Sequence, residues 1–266
     1  MSVDFMPGRT VDVPEIPMED QAELPVEKTA LIVVDMQNDF VKPEGALQVP
    51  AALEAVPRIQ RLLERARERG VHVAFTQDTH REDDPEWDNW PEHVRVGTWG
   101  WEIVDELKPK PGELVCRKTR YDGFYGTWLD HYVRQVWDVD YVMVVGTVSN
   151  ICVLHTAASA GLRFLRVVMP ADGVGALTDF GQAMTLRLVS WLYKGSVVRS
   201  TEGIQFTDVV TVELPRREVA WCWEPTAEAL AGMGPQEQRI AHLEAELCER
   251  DAIIQELKQQ VTERRG

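Results

Sequence analysis

The chain is short of cysteine, of basic charge and of long apolar runs, and each shortage narrows its identity. Cys116, Cys152, Cys222 and Cys248 are its four cysteines, widely scattered and without a CxxC pair. No disulfide framework is expected, so free thiols in a reducing, cytoplasmic setting are. Lys and Arg number 28 against 43 Asp and Glu, a net charge of -15. That balance argues against nucleic acid and anionic membrane surfaces as partners, because both attract basic patches. No apolar run approaches the ~20 residues of a membrane span. Met1–Gly8 lacks a basic region followed by an apolar core, so no signal peptide is expected.

With 44% hydrophobic residues, the 266-residue chain can bury a sizeable core. Short apolar runs alternate with helical spacing from Thr29 onward. The runs are Ala30–Val34, Val71–Thr76, Leu114–Cys116, Tyr141–Val145, Leu165–Met169 and Ser196–Arg199. Between them, Leu53, Val56, Ile59, Leu62 and Leu63 keep one helical face, which Gly70 closes as a C-cap. Thr127–Val136, Ile151–Leu162 and Asp179–Tyr193 also read as helices. Such alternation predicts an α/β fold, a parallel sheet with helices on both faces. Residues 1–28 are acidic and proline-dotted and read as an extended arm. Residues 29–212 form the predicted domain, 213–235 a linker and 236–266 a tail helix. In that tail Ile240, Leu243, Leu247, Ile254, Leu257 and Val261 occupy heptad a and d positions, interrupted by Arg250. A short coiled coil is marginal unless it pairs, so a homo-oligomer is expected; a lone helix packed on the domain is the alternative.

Tyr141–Ala157 is the stretch that carries chemistry. Gly146 ends an apolar run, a tight loop leads to Asn150, and helical spacing starts at Ile151. Cys152 therefore sits in the first helical turn beyond a strand's carboxyl end, where open α/β sheets place ligands. The positive end of a helix dipole there favours thiolate. A small buried hydrophobe is the other reading of a free cysteine. Asp35 and Lys118 also follow apolar strand runs, so three distant residues can share one rim. A thiol nucleophile needs a base, and an ammonium stabilises both thiolate and carboxylate. Taken singly, Asp35 reads as a loop carboxylate and Lys118 as a surface lysine.

Asp35-Met-Gln-Asn-Asp-Phe40, Lys118-Thr-Arg-Tyr-Asp-Gly-Phe-Tyr-Gly-Thr127 and Gly146-Thr-Val-Ser-Asn-Ile-Cys-Val-Leu-His-Thr-Ala157 resemble the isochorismatase-like cysteine hydrolases. Within that superfamily the nearest look is to nicotinamidases, over roughly residues 29–200. The resemblance implies a Rossmann-like parallel sheet flanked by helices and a triad of Cys152, Asp35 and Lys118. It also implies a cis peptide between Thr147 and Val148, with the Val148 and Cys152 N–H groups as the oxyanion hole. True isochorismatases lack the cysteine and cleave a vinyl ether. With Cys152 present, hydrolysis of a small-molecule amide is expected.

The loop Thr79–Trp101 is long for a compact domain, as functional loops are. Asp78, His80 and His93 suit Zn, Fe or Mn, and the resemblance implies just such a divalent site beside the triad. A further ligand in that family is His or Glu, and Glu86 is the choice here. A set of loop polar residues with His93 as a cap is the alternative. No organic cofactor is expected. Phe40, Trp90 and Tyr121 resemble family positions that wall the substrate pocket. Trp87, Trp99 and Trp101 read as lid or interface. His155 lies on the Cys152 face of its helix, but the family gives it no role, so packing is expected. Ser149 and Asn150 stand where relatives vary. The other readings are a ureido, carbamoyl or other small-amide hydrolase, and an assembly protein that uses the arm and tail.

Overall fold

The structure is a computed structural model that describes residues 13–208 and Gly234. The expected coiled-coil tail, most of the expected linker, the first part of the expected arm, Cys222 and Cys248 lie outside the described residues. The strands are β1 (Ala22–Pro25), β2 (Thr29–Val34), β3 (His72–Asp78), β4 (Leu114–Lys118), β5 (Tyr141–Thr147), β6 (Arg166–Pro170), β7 (Val174–Gly175), β8 (Ser196–Val198) and β9 (Ile204–Thr207). The helices are α1 (Asn38–Val41), α2 (Pro50–Arg69), α3 (Leu129–His131), α4 (Leu154–Leu162) and α5 (Asp179–Trp191).

A seven-stranded sheet runs β4-β3-β2-β5-β6-β8, with β7 beside β5, and every pairing is parallel. Both faces of its central strands are buried, which is why those strands read as continuous apolar runs. On β2, Leu31 and Val33 join one core with Ile59, Leu62 and Leu63 of α2. Ala30, Ile32 and Val34 join the other, with Ala157 and Ala160 of α4 and Leu186 and Val189 of α5. Pro50 starts α2, where its missing N–H costs nothing, and Gly70 ends it at φ 78. The chain moves outward from β2 to β3 and β4, then returns to β5 on the other side of β2. The sheet's topological switch point therefore lies between the carboxyl ends of β2 and β5.

Several boundaries differ from the sequence reading in ways that matter to the site. β3 and β4 continue to Asp78 and Lys118, so both side chains sit on sheet-anchored backbone rather than on loops. Asp39–Gly45 reads as a loop in the sequence, but Asn38–Val41 make the one-turn α1. The stretch from Thr127 gives only α3 and a π-helical turn, Tyr132–Val136. A second π-helical turn, Ser149–Val153, precedes α4 and holds Cys152. Within the expected arm, β1 pairs with β9 in a two-stranded parallel sheet, Leu24 opposite Phe206. Both pair members fell in segments with too little alternation to mark a strand.

Candidate active site

Three strand ends deliver the triad. Asp35 follows β2 directly, in the left-handed region at φ 49. Lys118 closes β4, and Cys152 lies in the π-helical turn after β5. At Gly146, φ is 119, and an added Cβ would collide with the Val34 carbonyl oxygen. A glycine is thus required for β5 to pass β2 closely just below the site.

The Lys118 ammonium is fully buried and stands 2.7 Å from Asp35 Oδ2, 3.1 Å from Asp78 Oδ1 and 3.6 Å from Cys152 Sγ. Thr76 donates its hydroxyl to Asp35 Oδ1 at 2.6 Å. Burial would lower the affinity of Lys118 for its proton, but Asp35, Cys152 and Asp78 together hold it well above the ordinary range. Burial lifts Asp35 above the usual carboxylate range while Lys118 pulls it back. Burial also raises the Cys152 thiol well above its ordinary value, against the pull of Lys118. Burial thus opposes the thiolate that the helix dipole was expected to favour, and Lys118 is the neighbour that favours it.

Asp78 links this triad to a second cluster. Ligand atoms of Asp78, His80 and His93 lie within 4.8 Å of one another, and all three residues are buried. His80 Nδ1 lies 3.0 Å from Asp84 Oδ2, and His93 Nδ1 lies 2.7 Å from the Pro91 carbonyl. Those acceptors favour Nδ1–H on both rings and leave Nε2 as the lone-pair nitrogen. On His80 that nitrogen faces Asp78 Oδ2 at 3.2 Å, acceptor against acceptor. A proton or a cation relieves that contact, so the donor set fits a divalent ion. Burial opposes ionisation of Asp78, yet Lys118 and, where Nε2 carries a proton, His80 bring it down to about 2. Glu86 groups with His80 and Asp84 instead, is buried, and lines the same pocket. Its carboxyl is raised, mainly by burial.

The pocket holds about 270 Å³ and is walled by Phe40, Leu47, Val49, Val148, Ile151 and Leu177, with Gln48, Asp78, Glu86, His93 and Cys152 as polar groups. Trp90 and Tyr121 complete it, and the Trp90 indole N–H donates to the Tyr121 hydroxyl at 3.2 Å. The peptide between Thr147 and Val148 is cis. Trp87 packs edge-on against His80 and His93, 5.1 and 5.5 Å between ring centres. Trp101 donates its N–H to Thr79 and lies under Arg117, whereas Trp99 is half exposed. His155 is exposed, bonds the Ile151 carbonyl of its own helix and packs on Tyr121.

Four positioning residues escaped the sequence reading. Gln37 clamps the Asp78 backbone, donating to its carbonyl and accepting its N–H, both at 2.8 Å. Asp39 accepts from the Val94 and Ala46 N–H groups and so fastens the turn after His93. Both lie inside the Asp35–Phe40 motif, which was the available signal. Asp84 also accepts the Glu86 N–H, capping the turn Pro85–Asp88, and pairs with Arg120 at 3.2 Å. A run of loop acids gave no means to single out Asp84.

The Isochorismatase domain model matches residues 29–203. The chain belongs to the isochorismatase family. Ureidoacrylate amidohydrolase RutB of Caulobacter segnis is 31% identical over 178 residues, covering 57% of this chain and 70% of that protein. The same enzyme of Yersinia enterocolitica is 32% identical over 189 residues, covering 61% and 82%. Among solved structures, N-carbamoylsarcosine amidase of Thermoplasma acidophilum is 37% identical at a TM-score of 0.59, covering 65% of this chain and 96% of that one. Nicotinamidase PncA of Bacillus subtilis is 30% identical at 0.61, covering 64% and 99%.

Proposed function

We propose that the chain is a cysteine-dependent amidohydrolase that cleaves a small amide to acid and ammonia, with nicotinamide as the favoured substrate. The observation that carries the reading is the Lys118 ammonium, set between Asp35, Asp78 and the pocket-lining Cys152. Asp35 takes the thiol proton, and Cys152 sulfur forms a bond to the amide carbon. The Val148 and Cys152 N–H groups are the proposed oxyanion donors; both residues line the pocket. The C–N bond breaks as Asp35 returns its proton to nitrogen, releasing ammonia and leaving a thioester. Asp35 then takes a proton from water, the resulting hydroxide breaks the C–S bond, and the thiol is restored. Lys118 keeps its proton throughout and stabilises whichever neighbour carries the negative charge.

Asp78, His80 and His93 are the proposed holders of a divalent Zn, Fe or Mn ion, with Glu86 beside them. When bound, that ion supplies a Lewis-acid contact for a substrate heteroatom such as a ring nitrogen. The relatives named for ureidoacrylate and N-carbamoylsarcosine favour a second reading, a ureido or carbamoyl substrate. Ammonia release from nicotinamide, pyrazinamide and ureido acids, with metal analysis of the same sample, separates the two. Preference for nicotinamide with loss of activity on chelation is expected. Chelator-insensitive turnover of ureido acids alone would replace it.

A further inference from the structure

We infer that the pocket selects amides without a carboxylate, so the substrate is an uncharged amide rather than a ureido or carbamoyl acid. The inference rests on this pocket being the amide site. Among the described residues no Lys or Arg lines it, while Asp78 and Glu86 do. The cations nearby are engaged. Lys118 lies beneath the cavity wall, fully buried against Asp35, Asp78 and Cys152. Arg120 stands behind Glu86, 3.6 Å from its Oε2 and 3.2 Å from Asp84 Oδ1.

A substrate carboxylate entering here leaves water for a space walled by Leu47, Val49 and Leu177. It meets two carboxylates and gains no cation, only neutral groups such as the Gln48 amide, which is the unfavourable way to bury a charge. A divalent ion on Asp78, His80 and His93 does not reverse the balance, because Asp78 and Glu86 together offset its two charges. An uncharged planar amide loses little on leaving water and keeps stacking contact with Phe40 and Trp90. The ureidoacrylate and N-carbamoylsarcosine relatives are named for substrates that carry a carboxylate. Similarity thus spans both kinds of substrate, since a nicotinamidase is among the similar structures, and the pocket chemistry favours the uncharged kind.

Benzamide and 3-carbamoylbenzoate test this, since they differ only by the carboxylate. Their dissociation constants are measured by calorimetry on metal-loaded, full-length Cys152→Ala, which keeps the pocket but has no thiol. Benzamide is expected to bind at least about tenfold tighter. Leu177→Arg in the same background places a cation at the half-exposed mouth and is expected to narrow that ratio at least about threefold. Equal binding, tighter binding of the carbamoylbenzoate, or no binding of benzamide overturns the inference. Ammonia release by the native chain is read separately. Absence of turnover with the binding preference intact overturns amide hydrolysis and leaves the selection rule standing.

Discussion

The triad and the metal-side loop share one pocket but are built differently. Asp35, Lys118 and Cys152 hang from sheet-anchored backbone, and the Lys118 side chain has no exposed surface. His80, Asp84, Glu86 and His93 ride on a loop of short turns, fastened by side-chain bonds from Gln37, Asp39 and Arg120. Strand ends give position through ladder hydrogen bonds that the whole sheet enforces. The loop has only one backbone bridge, His80 with Arg95, and short turns, so its position leans on a few side-chain contacts that single substitutions remove. The triad should therefore fail together with the fold, and the loop should fail alone.

Lys118→Met is the strongest challenge to that contrast. It leaves the Asp35 and Asp78 carboxylates buried without their cation, so a loss of about 3–5 kcal/mol in urea unfolding is expected along with activity. A stable, inactive variant would mean that the ion pair is catalytic but not structural. Asp84→Ala probes the loop. Losing the acceptor for His80 Nδ1 should weaken metal affinity about 10–100-fold by competition with a chromophoric chelator, with thermal stability almost unchanged. A large stability loss would make the loop part of the fold. The pH profile sharpens the same division. Asp35 must be ionised to accept the thiol proton, and burial raises its pKa. Activity is thus expected to fall on acidification at a pH above the ordinary carboxylate range, while Lys118, held well above its own range, causes no alkaline loss. An acid limb at or below the ordinary carboxylate value contradicts that assignment.

The smallest expected effect is at the base of the triad strand. Arg67 of α2 grips Glu113, just before β4, through two hydrogen bonds of 2.7 and 2.8 Å. Burial opposes ionisation of Glu113, but Arg67 holds its pKa below the ordinary value. A depressed carboxylate stabilises the fold above its unfolded pKa and ceases to as pH falls through the folded one. Glu113→Gln should cost about 1–3 kcal/mol at neutral pH and flatten the loss of stability in acid. An unchanged acid profile would remove the pair from the account.

Sequence was most informative where the chain is most constrained. The apolar runs before Asp35 and Cys152 and the Gly146 break marked two strand ends, and the alternation of runs marked the layered sheet. Lys118 was placed correctly although its strand was read two residues short, since Arg117 and Lys118 break the apolar pattern. The burial that opposes ionisation of Cys152 was not legible, because enclosure by several elements is not visible in local spacing. Asp84 was missed for a related reason: among six loop acids, only the folded turn decides which one faces His80. β1 and β9 were invisible because each stabilises the other across most of the chain.

The central claim is that Cys152 attacks the amide and carries the acyl group. Rapid acid quench of the native chain with an excess of its amide substrate, followed by intact-protein and peptide mass spectrometry, tests it most directly. The account predicts a mass increase equal to the acyl group, located on Cys152 and absent from Cys152→Ala, which also releases no ammonia. Ammonia release by Cys152→Ala at the native rate, or an acyl group on any other residue, would contradict it.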